Sequence, residues 1–261
     1  KKYLIVMRKL FYAFSVFAVL FASCSSDNDS SSVESAVLLK KVIATDGSGT
    51  QTTDYHYDGN KILDGTRSNG SKQVYYYTGD LITKVAFFES GSTVPANEEF
   101  VTYDSQNRVV ETKIYYYSSG NSALKNTYQH NADGTISYER FTGDSSAQNT
   151  LIKRGKLFFN AAGEVIKVEH YDVDGVLLEN EVYAHDSKNS PFKNILGFNK
   201  LFVYHSMGKW NNIASYGSYN AANTLSHGYE IDYQYTSSNY PSTMVWNYSD
   251  GNVLHYQLFY E

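Results

Sequence analysis

Tyr55-His56-Tyr57-Asp58-Gly59-Asn60-Lys61-Ile62-Leu63 decides the fold. Aromatic and β-branched residues fit a pleated surface. Asp-Gly and Asn supply the positive φ of a tight hairpin turn. Strand side chains alternate, so Tyr-x-Tyr puts both rings on one face. The nine residues therefore read as strand, turn, strand.

The same phrase recurs along the chain. Tyr75-Tyr76-Tyr77 runs into Thr78-Gly79-Asp80, and Val101-Thr102-Tyr103 into Asp104 to Asn107. Tyr128-Gln129-His130 and Leu157-Phe158-Phe159 lead into turns ending at Gly134 and Gly163. Tyr183-Ala184-His185, Tyr233-Gln234-Tyr235 and Trp246-Asn247-Tyr248 open three more units. From Tyr57 to Tyr77, Tyr103, His130 and Phe159 the steps are 20, 26, 27 and 29 residues. Each unit holds two strands and buries its face on its neighbours. His56, His130 and His185 are read as standing in the aromatic slots. Val33 to Val42 is readable as a helix or as the first strand. The predicted class is all-β: a single curved antiparallel sheet, or an open or partly closed barrel, built from hairpin repeats over residues 36–261.

The unit resembles the tyrosine-aspartate repeats of the RHS type. Tyr183 to Asn194 is similar to a segment of Bacteroidetes lipoproteins, some of them in a domain family described as porin-like. That resemblance implies a strongly curved antiparallel sheet and an envelope address. It does not imply a pore, because the strands lack a clean lipid-facing band.

Residues 1–23 read as a secretory signal peptide with a start at Met7. Arg8 and Lys9 precede the apolar run Leu10 to Phe21, which is too short for a membrane span. Phe21-Ala22-Ser23-Cys24 resembles the bacterial lipobox, which implies that Cys24 is acylated and becomes the new N-terminus. Residues 24–35 then form a lipidated Cys and a Ser/Asp tether, Ser25 to Ser32, with no apolar residue to pack. This tract resembles Bacteroidetes surface-export signals. The expected address is the outer membrane, reached through the N-terminal lipid.

Charge excludes some partners. The chain carries −5, and removing residues 1–23 leaves 18 basic against 27 acidic residues, or −9. A nucleic-acid binder needs the opposite sign. One Cys excludes a disulfide framework and, at the anchor, a Cys nucleophile.

No sequence motif supplies chemistry. His-Glu-x-x-His, Gly-x-Ser-x-Gly and a phosphate-binding loop are missing from the sequence, and Asp172-Val173-Asp174-Gly175 lacks the remaining ligands of a calcium loop. No catalytic residue, metal site or cofactor is predicted. Glu98, Glu99, Glu164, Glu169, Glu179 and Glu181 are available as carboxylate pairs, with nothing to single any pair out. Residues 186–215 are the longest irregular stretch, with Lys200 to His205 read as a strand. With 25 Tyr and 14 Phe, the aromatic excess is the one pointer to binding. Trp210, Trp246, Tyr216, Tyr219 and Tyr229 are the candidates for a glycan or protein ligand, since their rings offer a flat apolar face and a polar edge. The reading is a lipid-anchored, non-enzymatic binding or scaffolding protein of the envelope. The alternative is a cell-surface hydrolase of glycans. A concave pocket with converging carboxylates or His would favour the enzyme, an exposed ladder of rings would favour glycan binding, and rings packed out of solvent on both faces would leave only the structural reading.

Overall fold

The repeated runs become strands that pair only with their neighbours. The computed structural model describes residues 36–118, 120–202 and 208–261. The first eight strands are β1 Leu39–Asp46, β2 Gly49–Asp58, β3 Lys61–Arg67, β4 Lys72–Thr78, β5 Leu81–Phe88, β6 Asn97–Tyr103, β7 Val109–Tyr116 and β8 Ser122–His130. Eight more follow: β9 Ile136–Asp144, β10 Thr150–Phe159, β11 Val165–Tyr171, β12 Leu177–Asn189, β13 Asn211–Asn220, β14 Leu225–Tyr235, β15 Pro241–Tyr248 and β16 Val253–Tyr260. All pairings are antiparallel, and β1 also pairs with β16, which closes the barrel. Of the expected forms, the closed one is found. Of the stretch readable as helix or strand, Leu39 to Val42 lie in β1, Ala36 to Leu38 precede it without helix, and residues 33–35 lie outside the described residues.

The turn chemistry works as read. Gly59 and Gly79 both sit at φ 59°, the left-handed conformation that the two-residue turns require. Asp172 accepts from the amides of Asp174 and Val176 at 2.9 and 2.8 Å, so Asp172–Gly175 is a hairpin turn.

The aromatic slots face inward, and several share one task. The Tyr57, Tyr103, Tyr233 and Tyr260 hydroxyls donate to the carbonyls of Leu39, Ile82, Ile213 and Pro241 at 2.7–2.8 Å. Each carbonyl lies on the preceding strand of the sheet. His130 and His185 do the same through Nε2, to Val109 at 2.9 Å and Val165 at 2.8 Å. Imidazole therefore replaces phenol at two slots. His56 is different: it is the middle residue of its run, points outward, and meets Asp64 at 2.8 Å. The slots of that run belong to Tyr55 and Tyr57. Leu39, Ile62, Ile82, Val109, Val165 and Ile213 form a buried aliphatic girdle at the same end.

The connection from β12 to β13 closes that end. Phe192, Ile195 and Phe198 pack on Leu38, Ile62 and Ile82, and the amide of Leu196 donates to Asn60 at 2.9 Å. Lys200 ends a single 3-10 turn, Phe198–Lys200, and Leu201 and Phe202 are not in a strand. The expected strand from Lys200 is thus absent over its described part, because Phe198 and its neighbours are drawn into the apolar end instead.

The outside of the barrel is built for water. Lys41–Asp54, Lys84–Glu98, Arg154–Glu139 and Lys167–Glu169 pair on outward positions at 2.6–3.2 Å. Outward rings lie beneath lysines: Lys84 Nζ is 4.0 Å from the Tyr76 ring centroid, and Lys125 is 4.7 Å from that of Phe141. A lipid-facing Lys or Arg costs roughly 2–4 kcal/mol at mid-bilayer. Repeated on many strands, that cost weighs against a hydrocarbon environment for this surface.

Burial raises the phenol pKa of Tyr55, Tyr77, Tyr128 and Tyr256 from 10.0 to about 12. Between those values the unfolded chain has released protons that the folded chain keeps. Stability is therefore full below pH 10 and falls as pH rises toward 12. We expect phenolate absorbance to rise together with loss of the far-ultraviolet β signal. Smooth phenolate titration at ordinary pH with the β signal intact would contradict the buried slots.

Candidate functional site

Strand parity brings three of the five candidate residues together inside the barrel. Tyr183, Tyr216, Tyr229 and Tyr248 lie opposite one another across β12–β15. The rings of Tyr216 and Tyr229 stack at 5.1 Å and 27°. Trp246 lies 4.5 Å from Tyr229 and 5.7 Å from Tyr256. Trp246 and Tyr229 are 5% and 8% exposed, so this ladder faces the interior rather than solvent. Burial holds the Tyr216 and Tyr229 phenols well above their usual range. Cys24 lies outside the described residues.

Trp210 is placed elsewhere, and by its backbone. Glu164 follows the turn of the β10–β11 hairpin and is fully buried. Its carboxylate accepts from the amides of Lys209, Trp210 and Asn211 at 3.1, 2.6 and 2.9 Å. Desolvation lowers the Lys209 pKa, and the Glu164 charge partly offsets that. This carboxylate staples the returning connection to the barrel.

The other carboxylates separate by parity. Glu98 points out and Glu99 in. Outward Glu169 bonds Lys167 and Tyr171, each at 2.6 Å. Glu179 and Glu181 face inward. Glu181 accepts from the Tyr183 hydroxyl at 2.6 Å and lies 3.5 Å from His170 Nε2. The Tyr138 hydroxyl is hydrogen-bonded to His170 Nδ1, and His170 Nε2 faces Glu181. Tyr138 and His170 are 5% and 6% exposed. The Tyr138–His170 hydrogen bond ties β9 to β11 from within, with Glu181 of β12 beside the imidazole. Parity could have flagged it, since Tyr138, His170 and Glu181 all fall on inward positions. The pairing across three strands could not be read without the register. Among the described residues no cluster of three or more His, Cys, Asp or Glu is arranged to hold a metal.

Tyr219 lies on the outer face, beside a depression of about 340 Å³. Gly217 faces Gly228 across β13–β14, so neither strand contributes a side chain there. The Tyr219 ring covers Gly217: a Cβ on that glycine would lie 2.8 Å from the ring. A Cβ on Gly228 would lie 2.6 Å from the Tyr216 carbonyl oxygen. Gly228 and the Tyr219 ring over Gly217 thus form the floor. Val182 and Leu225, 43% and 48% exposed, are apolar walls. Ser215, Glu230 and Asn247 form the polar rim. Asn247 Nδ2 donates to Asp232 at 2.9 Å. Ser249 Oγ accepts from the Gly228 amide at 3.0 Å. This is a shaped, water-facing site with a ring, apolar walls and a carboxylate.

Comparison with solved structures finds the same fold. A porin-like protein from Bacteroides vulgatus ATCC 8482 superposes with a TM-score of 0.56 at 14% identity, covering 86% of this chain and 99% of that one. A porin-like protein from Bacteroides uniformis ATCC 8492 gives 0.50 at 6% identity, covering 85% and 96%. No family model matches the chain, and no curated protein matches it.

Proposed function

We propose that this protein is a lipid-anchored barrel of the bacterial envelope that works outside the bilayer as a non-enzymatic binding or scaffolding module. Cys24 carries the acyl chains, the Ser/Asp tract is the tether, and the barrel is displayed at the outer membrane. The observation that carries the reading is the barrel's outer surface, with its ion pairs and lysine-covered rings on many strands. A polypeptide with that surface needs another means of staying at a membrane. An acylated N-terminus supplies it, since each buried CH₂ contributes about 0.8 kcal/mol. The porin-like neighbours support the barrel and leave its role open.

Replacing Cys24 with Ala is expected to move the protein from the membrane pellet to the soluble fraction, with its β spectrum unchanged. If the variant stays in the pellet after an alkaline carbonate wash, the lipid tether is wrong.

A further inference from the structure

We infer that the outward depression over Gly217 and Gly228 is a saccharide site, taking one ring of a neutral or amino-bearing sugar. This deepens the binding role proposed above and rests on it, while being independent of the tether at Cys24.

Size comes first. Small-molecule pockets span roughly 300–1,000 Å³. The depression, at about 340 Å³, suits a single ring-sized group. Its shape is built in, because a side chain at either glycine would collide with the Tyr219 ring or with backbone.

Chemistry comes second. A pyranose has an apolar C–H face ringed by hydroxyls that both donate and accept. Tyr219 offers a flat ring and a hydroxyl. Leu225, its cross-strand partner, and Val182 supply apolar contact beside it. The Glu230 carboxylate and the Ser215 hydroxyl have no hydrogen-bond partner among the described residues. Asn247 gives its N–H to Asp232 and keeps its oxygen for a ligand. The rim therefore holds donors and acceptors together, as a polyol requires. A lysine side chain would satisfy Glu230 and leave Ser215 and Asn247 unused.

Charge comes third. An unpaired carboxylate on the rim repels uronic and sialic acids and accepts hydroxyl or ammonium donors.

The test uses the full chain in detergent, with saturation-transfer NMR and calorimetry. The probes are glucose, mannose, galactose, N-acetylglucosamine, glucosamine and glucuronate. At least one neutral or amino sugar is expected to bind, and glucuronate about tenfold more weakly. Tyr219→Ala should weaken binding about tenfold, while Tyr219→Phe keeps it within about threefold. Glu230→Gln should shrink the discrimination against glucuronate. Phe141→Ala, on a distant outward ring, should change nothing. The proposal is overturned if no sugar gives a transfer signal, if Tyr219→Ala binds as well as the parent, or if a lysine peptide binds where the sugars do not. Membrane release of Cys24→Ala is scored separately, so a failure here is not confused with a failure of the anchor.

Discussion

Glu164→Ala is expected to destabilise the protein by roughly 3–5 kcal/mol, the cost of orphaning partners buried against a charge. The carboxylate is fully buried and satisfies three successive backbone amides. Alanine leaves all three without an acceptor and strips Lys209 of the charge that offsets its desolvation. Damage should begin locally. Hydrogen exchange ought to rise first over residues 208–212, before the strands open. Glu164→Gln should fall between parent and Ala, because one oxygen still accepts while the amide N–H₂ confronts donors. Urea unfolding at neutral pH measures the loss. A cost under about 1 kcal/mol would mean that the staple is ornamental and that packing of Phe192 and Phe198 alone holds the connection.

Gly155→Ala should cost about 3 kcal/mol, at the upper end for overpacking. The glycine faces His170 across the sheet and lies beneath the Tyr138 ring. An added Cβ would stand 2.1 Å from the ring and 2.5 Å from the Glu169 carbonyl oxygen. The ring must move, and its hydrogen bond to His170 goes with it. Tyr138→Leu removes the ring, so Gly155→Ala should cost less in that background than alone, the remainder coming from the Glu169 carbonyl. That coupling in a double-mutant cycle is the signature to measure. A Gly155→Ala protein with parental stability would show that the site relaxes freely and that the brace carries little.

The hairpin repeat was legible because its parts are local. Turn glycines, Tyr-x-Tyr parity and apolar strands are all set within about ten residues, and the structure places turns at Asp58–Asn60 and Asp104–Asn107 accordingly. Closure was not legible, since β1 and β16 lie at opposite ends of the sequence and nothing in either strand names the other. The inward placement of Tyr229 and Trp246 was within reach. Trp246-Asn247-Tyr248 has the same spacing as Tyr55-His56-Tyr57, and a shared slot implies a shared face. The outer depression was harder. It depends on Gly217 meeting Gly228 in register, and a glycine in a strand does not announce its cross-strand partner. The role of 186–215 was hidden for a related reason. Phe192, Ile195 and Phe198 look like any loop hydrophobics until the open barrel end that they fill is known.

The Leu38 amide donates to Glu261 and the Glu261 amide donates to Leu38, both at 3.0 Å, so the seam of the ring joins its earliest and latest segments. A polypeptide made front end first cannot complete this circle before Val253–Tyr260 exists. Until then both margins expose unsatisfied backbone groups, an invitation to pair with another molecule. Folding of this chain therefore includes an interval in which it must be kept apart from its own copies, and that interval ends only when Val253–Tyr260 pairs with β1.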